Sequence, residues 1–429
     1  MRVPGADKAS GKALGLLELI AIGVGGMIGG GIFSMLGLAV SITGHAAPFA
    51  FLIGSLVAFF AGYSYIRLAL AFRNDGASYV YIKRAFPKKP HFSAMTGWTV
   101  VIGYVGTLAL YAFTFGAYGA DLLGRSDDHG LRMGLSAAVL LFFMFVNLRS
   151  AKTSGRTEDL VVYAKILILA VFAIAGLETA DARNMQPLLD KGFASIFMAG
   201  ALIFVAYEGF QLITNAVQET REPEKNIPRG IYGAIAITSS IYILLAIVAI
   251  GNLPEQRIVG AEEYALAEAA RPVLGEAGVV MVGVAALLAT SSAINATVFG
   301  AARIMAEMAR ERHMPAFLKA RNADGAPWAA VVAMTLLGLA FALLGGLEII
   351  ASFSSMTFLL VSIGVSVANW RLRDQTGSNP RVIMAGLALM STTVALLLLH
   401  LATEKPLTLL ELLGLYLLAG LPAWYYSRR

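Results

Sequence analysis

Twelve apolar stretches constrain this chain more than any other feature. They fall near residues 15–41, 47–71, 97–120, 131–148, 158–177, 194–216, 230–252, 276–306, 328–346, 349–369, 381–401 and 407–426. Each is long enough to cross a hydrocarbon layer of about 30 Å. Lipid offers no water to backbone N–H and C=O groups, so continuous apolar segments of this length cross as helices that satisfy their own hydrogen bonds. Composition agrees, because 58% of the 429 residues are hydrophobic and 14% charged, against roughly 45–50% and about 25% in soluble domains. Mean hydropathy is +0.72. The expected fold is an all-α membrane protein of about twelve transmembrane helices, forming a single transmembrane domain over residues 1–429. The segment Met1 to Lys12 is polar and short, and the span after it runs past signal-peptide length without an A-x-A cleavage site. It is expected to be retained.

The net charge of +6 would suit nucleic-acid binding in a soluble protein, but its distribution says otherwise. With the N-terminus in the cytosol, 24 of the 33 Lys and Arg residues fall on the cytosolic side and seven on the other. That asymmetry orients membrane proteins, and it places both termini inside a multi-pass protein of the cell (inner or plasma) membrane. Nucleic acid is therefore not an expected partner. Cysteine is absent, which removes disulfides, thiolate metal sites and a cysteine nucleophile. The five histidines, His45, His91, His129, His313 and His400, have no metal-ligand spacing, so no metal and no cofactor is expected. No G-x-x-x-x-G-K-[ST] loop occurs, so ATP-driven pumping is not expected. An integral-membrane enzyme needs acids, bases or ligands clustered at one depth, and the spans offer isolated ionisable residues instead. An enzyme is not expected.

Two spans carry residues that weaken a helix. In the first, Gly23, Gly25, Gly26, Gly29, Gly30 and Gly31 crowd together, each costing about 1 kcal/mol relative to Ala in a helix. Gly25 and Gly29 form a G-x-x-x-G pair, which reads as a tight helix–helix interface. The other reading is a break whose released backbone groups line a polar cavity, the setting in which irregular backbone is tolerated at membrane depth. The sixth span favours the break, because Ala206-Tyr207-Glu208-Gly209-Phe210 sets a carboxylate beside a glycine in mid-membrane. Broken helices at corresponding places in two halves point to a transporter built from inverted repeats, with its solute held between them.

Four blocks carry a resemblance. They are Gly23 to Phe33; Asp75 to Phe86 at the second-span exit; Ala206 to Phe210 running on through Glu219, Pro223 and Asn226 to Gly230; and Ser291 to Ala296 running to Arg303 and Met308. In this order and at these depths they resemble the amino acid/polyamine/organocation superfamily, within it the bacterial and archaeal amino acid permeases. The resemblance implies a five-plus-five inverted repeat with broken first and sixth helices. Residues 1–14 form a cytoplasmic N-terminus, 15–177 the first repeat, 194–369 the second and 381–426 two peripheral helices.

A half-helix starting near Gly30 presents unpaired N–H groups and the positive end of its dipole, which suit a carboxylate. The resemblance implies that Gly29, Gly30 and Gly31 hold a substrate α-carboxylate, with Ile32 as a further backbone donor. Carbonyls freed at Met27 and from Ala206 to Glu208 would then accept from a substrate ammonium, as in the family's amine site. Glu208 has three readings: pairing with a cationic substrate, exchanging a coupling proton, or bracing the break by accepting backbone N–H bonds. Tyr207, Gly209 and Phe210 adjoin it, the two aromatics either lining or capping the pocket or packing in the ordinary way. Tyr104 and Tyr111 form one helical stripe on the third span and are gate candidates with Phe210.

Lys165 stands several residues inside the fifth span. One reading is snorkelling, in which the stem carries the ammonium to the interface. The other comes from the resemblance: some proton-coupled relatives carry a lysine here, where sodium-coupled members of the same fold hold sodium. Lys165 would then load and unload the proton, with Ser291, Ser292 and the carbonyls near Gly25 around it. The leading expectation is secondary active, proton-coupled uptake of an amino acid by alternating access. A polyamine or other organic amine transporter or exchanger is the alternative within transport, and a nutrient sensor that binds its solute without moving it is the alternative outside it.

Overall fold

The computed structural model describes residues 14–73, 77–149 and 155–427. Met1 to Lys12, together with Asp75 and Gly76 of the second sequence block, lie outside the described residues. The chain opens with α1 (Leu16–Met27), α2 (Gly31–Thr43), α3 (Ala47–Phe72) and α4 (Ala77–Ala85). It continues through α5 (Pro90–Leu122), α6 (His129–Leu148), α7 (Gly155–Thr179), α8 (Phe193–Leu202) and α9 (Leu212–Asn215). Next come α10 (Pro223–Asn252), α11 (Glu255–Gly260), α12 (Ala265–Arg310) and α13 (Trp328–Leu344). The last four are α14 (Leu347–Arg371), α15 (Arg373–Thr376), α16 (Pro380–Glu404) and α17 (Pro406–Ser427).

With α1 and α2 taken as one span and α8 and α9 as another, these helices make twelve crossings, joined by the short elements α4, α11 and α15. Among the described residues the β structure is an isolated bridge between Leu14 and Thr220. Burial sorts the spans into inner and outer ones. The most apolar window of α14 is 83% buried within the protein, whereas those of α16 and α17 are 28% and 11% buried. Helices with lipid on most sides need only apolar side chains. An inner helix must fit its neighbours, and α14 does so with small polar residues, Ser352, Ser354, Ser355 and Thr357, all fully buried.

Several helices outrun their apolar stretches. α5 starts at Pro90 rather than near 97, α10 at Pro223 rather than 230, and α12 spans Ala265–Arg310 rather than 276–306. Hydropathy marks the part of a helix that lies in hydrocarbon, and these helices continue into the headgroup region and loops. Within α12 the backbone leaves helical geometry at Gly275 (φ 64°, ψ −156°), just after Pro272, so the helix bends near its N-terminal end. The sequence Ala77–Ala85, read as a span exit, is a helix of its own, α4.

Both expected breaks are present. α1 ends at Met27, Ile28 leaves helical geometry (ψ 70°), and α2 starts at Gly31. In the sixth span α8 ends at Leu202, tightens into a 3₁₀ turn over Ile203–Tyr207, and becomes extended at Glu208 (ψ 130°). Gly209 then adopts φ +134°, a region that only glycine enters freely. The two breaks cross at their glycines: a Cβ on Gly209 would lie 2.5 Å from the Gly26 carbonyl carbon and 2.7 Å from the Met27 nitrogen. On the far side of the crossing, Gly31 abuts Ala206 in the same way. Gly209→Ala therefore adds both backbone strain and a clash, and is expected to cost roughly 1–3 kcal/mol. Gly414→Ala, where an added Cβ meets nothing within 4 Å, serves as control. The thermal midpoint of the purified protein in detergent should fall for the first variant and hold for the second, and equal midpoints would contradict the crossing.

Candidate functional site

At the first break, carbonyls are taken up by α7 and α10, and α5 bonds the helix that follows. Lys165 on α7 is fully buried, and its Nζ donates to the carbonyls of Gly25 (3.0 Å) and Ile28. Its stem does not reach for the interface, so the snorkelling reading is replaced by a geometric one. The last carbonyls of a helix lack intrahelical donors and carry the negative end of the dipole, and an ammonium answers both. Tyr242 on α10 donates from one hydroxyl toward Met27 (2.8 Å) and Ala206 (3.0 Å), joining the two breaks through a single oxygen. Tyr118 on α5 bonds the Phe33 carbonyl at 2.8 Å.

At the second break, Ser355 on α14 accepts from the Val205 N–H at 2.9 Å and donates to the Leu202 carbonyl. Gln211 does the remaining bridging, accepting from the Gly209 N–H (3.0 Å) and donating to the Glu208 carboxylate. Glu208 is thus held by a side-chain amide rather than by direct backbone bonds. None of the ion pairs among the described residues includes it.

A cavity of about 440 Å³ lies against this crossing. Gly25, Gly26, Glu208 and Gly209 form its floor, Tyr104 and Tyr111 one wall, and Ser292, Ala293 and Ala296 another. It extends past Glu18 and Leu14 at the start of α1 and past Thr297 and Gly300 on α12, so it opens toward the face where α1 begins. The opposite side is closed. Residues Gly31 to Gly37 of α2 are buried without a gap, and the turn Glu262–Tyr264 packs on that helix, the Glu262 carbonyl oxygen lying 2.4 Å from where a Gly37 Cβ would stand.

The remaining candidates fall on, beneath or behind this cavity. Gly29 and Gly30 lie under a side-chain cover: a Cβ on Gly29 would meet the Tyr111 ring at 2.9 Å, and one on Gly30 would meet Thr114 and Tyr111 at 3.0 Å. No side chain caps α2, so the amides of Gly31 and Ile32 are unclaimed by a cap, while the Gly29 N–H donates to the Met27 carbonyl at 2.9 Å. Tyr207 is fully buried, its hydroxyl on the Phe51 carbonyl at 2.7 Å and its ring edge-on to Tyr242. Phe210 packs edge-on to Tyr65 with ring centroids 5.6 Å apart. Neither aromatic is on the cavity wall, so both are core packing in this conformation. Ser292 faces the cavity, while Ser291, half-buried, is not among the lining residues.

Tyr242, Ser355 and Gln211 escaped the sequence reading. Gln211 left a signal, since an amide three residues after an intramembrane carboxylate is a natural partner for it. Tyr242 and Ser355 left none, because a single hydroxyl on a span looks the same whether it braces a break or turns to its own helix. Histidine spacing also gave no sign of a cluster on the closed face, where ligand atoms of His45, Asp190 and Glu255 come within 4.8 Å of one another. Lys191 already occupies Glu255 at 2.7 Å.

Comparison with known proteins matches the architecture to a family. The family model described as "Amino acid permease" covers residues 14–409. The chain belongs to the amino acid permease family. It is a multi-pass membrane transporter of the amino acid/polyamine/organocation superfamily. The permease is 30% identical over 422 residues to the inner membrane transport protein YbaT of Escherichia coli, with 97% of each chain covered. It is 25% identical over 451 residues to the branched-chain amino acid permease BcaP of Bacillus subtilis, covering 99% of this chain and 94% of that one. A methylthioribose transporter of Bacillus subtilis is 26% identical over 383 residues, covering 84% and 82%.

In the permease, the Tyr242 hydroxyl bonds both broken backbones, so it can be tested in isolation. Tyr242→Phe keeps the ring and removes a donor shared by two buried carbonyls, of which Met27 keeps the Gly29 N–H, with an expected cost of about 1–3 kcal/mol. Chemical denaturation of the purified variant should show that loss, and wild-type stability would mean that the two carbonyls find donors elsewhere.

Proposed function

We propose that the permease catalyses secondary active uptake of an amino acid, coupled to protons, by alternating access around the two broken spans. One observation carries this reading: a cavity bounded by both breaks, lined by a carboxylate that has an amide partner and no ion pair among the described residues, open to one face and closed to the other. The branched-chain permease among its relatives supports an amino acid as the solute. In this reading the solute's ammonium sits by Glu208 and its carboxylate meets the N–H groups at Gly29 to Gly31. Tyr111 lies over those amides, so it acts as the gate, swinging aside as the carboxylate arrives, with Tyr104 beside it. Residues 15–177 and 194–369 then form the two inverted repeats, each opening with its broken span, and 381–426 the peripheral pair. The low burial of α16 and α17 supports that division. The face where α1 begins is placed in the cytosol by its Lys and Arg surplus, which makes this conformation open to the inside, in the cell membrane.

Lys165 carries the coupling proton in this reading. Charged, its ammonium fastens α7 to the carbonyls of Gly25 and Ile28; neutral, it loses donor strength there and lets the first broken span move. Proton loading and the rearrangement of α1 are thereby one event. A second reading has a specific observation in its favour: Glu208 forms no ion pair among the described residues while Tyr111 covers Gly29 and Gly30, which suits an amine with no carboxylate of its own.

Two variants separate these assignments in proteoliposomes. Lys165→Ala should fold and bind solute yet lose uptake driven by an imposed pH gradient, and gradient-driven, sodium-independent uptake at the wild-type rate would remove the coupling role. Glu208→Gln should weaken binding of the amine-bearing solute by about tenfold or more, the loss of one charged hydrogen bond. In the wild type, a diamine that neutral amino acids fail to displace would favour the second reading over the first.

A further inference from the structure

Away from the transport cavity, a second cleft holds two arginines without an acid. It measures about 50 Å³ and lies between the ends of α6, α12 and α13, lined by Asn147, Phe299, Arg303, Arg321 and Pro327 among others. That exceeds the space one water needs, roughly 10–15 Å³ on the same kind of measure, so it admits a group larger than a single water. The acids nearest on α12 are already engaged: Glu307 pairs with Arg310 at 3.0 Å and Glu311 with Lys83 at 3.4 Å. Arg303 and Arg321 belong to no ion pair among the described residues, yet they share one cleft. Two like charges at short range repel unless an anion sits between them.

Both guanidinium groups are positioned rather than loose. Arg303 lies over the Phe299 ring with its Cζ 3.7 Å from the centroid. Arg321 donates to the Gly325 carbonyl within a turn that Asn322 clamps, its amide oxygen accepting from the Ala326 N–H at 2.9 Å and its amide nitrogen bonding the Leu148 carbonyl at the end of α6. Beside the cleft stand exposed aromatics. Phe299, in its lining, is 44% exposed, and Trp328, next to the lining residue Pro327, is 45% exposed; an exposed tryptophan at a helix start suits the headgroup level. Thr297 and Gly300, immediately before Arg303 on α12, line the transport cavity on the same face.

We infer that Arg303 and Arg321 form a binding site for a phosphate-bearing anion at the membrane surface, with the phosphodiester of an anionic lipid headgroup as its occupant. Guanidinium forks match phosphate oxygens in pairs, and basic pockets between spans at this depth suit lipid headgroups. An occupied site ties the ends of α6 and α13 to α12, the helix that supplies one wall of the transport cavity.

The test uses the full-length protein, delipidated in detergent and titrated with phosphatidylglycerol, phosphatidylcholine or inorganic phosphate while its thermal midpoint is followed. Phosphatidylglycerol should raise the midpoint and phosphatidylcholine should not. Arg303→Gln should weaken the apparent affinity for phosphatidylglycerol by about tenfold, Arg303→Lys should recover part of it, and Lys88→Gln, on the same face but outside the cleft, should leave it unchanged. Stabilisation by inorganic phosphate at equal concentration, lost in the same variants, would keep the site and assign it to a free anion. Unchanged affinity in Arg303→Gln, or an equal loss in Lys88→Gln, would overturn the inference.

Discussion

The crossing of Gly26 and Gly209 is the contact on which the rest of this permease depends. Two backbones meet there closely enough that no side chain fits between them: Gly26 stands in the last turn of α1, and Gly209 stands outside any helix. That leaves carbonyl and amide groups inside the bilayer, where an unpaired polar group costs several kcal/mol. The surrounding helices are built to meet that demand. Lys165, Tyr242, Ser355 and Gln211 each bring a polar atom to a released backbone group, and each comes from a different part of the chain. A mostly apolar cavity lies beside the crossing, with Glu208 and Ser292 among its lining residues.

The bridging groups differ in how easily they let go. Tyr242 and Ser355 are neutral hydroxyls, whose bonds change little over the physiological pH range. Lys165 differs in kind, since it holds the end of α1 with an amine, and in the coupling proposed above its charge is lost when the proton leaves. The sixth span is fixed by neutral bonds from α10 and α14, whereas the first is held by neutral hydroxyls from α10 and α5 and, in addition, by the Lys165 amine. A transporter needs such an asymmetry, with one element free to move against a scaffold that stays in place.

The sequence carried the fold well and the site in part, for a physical reason. Spans were legible because hydrocarbon accepts only long apolar helices, and the breaks at Gly29–Gly31 and Gly209 were legible because glycine there weakens a helix. The ends of α5, α10 and α12 were not, since outside the hydrocarbon the helix signal no longer depends on hydropathy. Glu208 and Lys165 stood out as charges at membrane depth, and the structure places both at the breaks, Glu208 on the cavity and Lys165 against the α1 carbonyls. Tyr207 and Phe210 flank Glu208 and Gly209 in sequence but pack in the core, because the backbone changes direction at Glu208 and again at Gly209 (φ +134°). That turn depends on the crossing partner, Gly26, which lies far away in sequence.

The central claim is that cargo rests against this crossing, and the absence of cysteine from the chain makes a direct measurement available. A single cysteine at Ala296, on the cavity wall, can be reacted with a membrane-impermeant thiol reagent in vesicles of known orientation. The account predicts labelling from the face where α1 begins and protection by a saturating transported solute. Labelling that the solute leaves unchanged, in a variant that still transports it, would contradict the account.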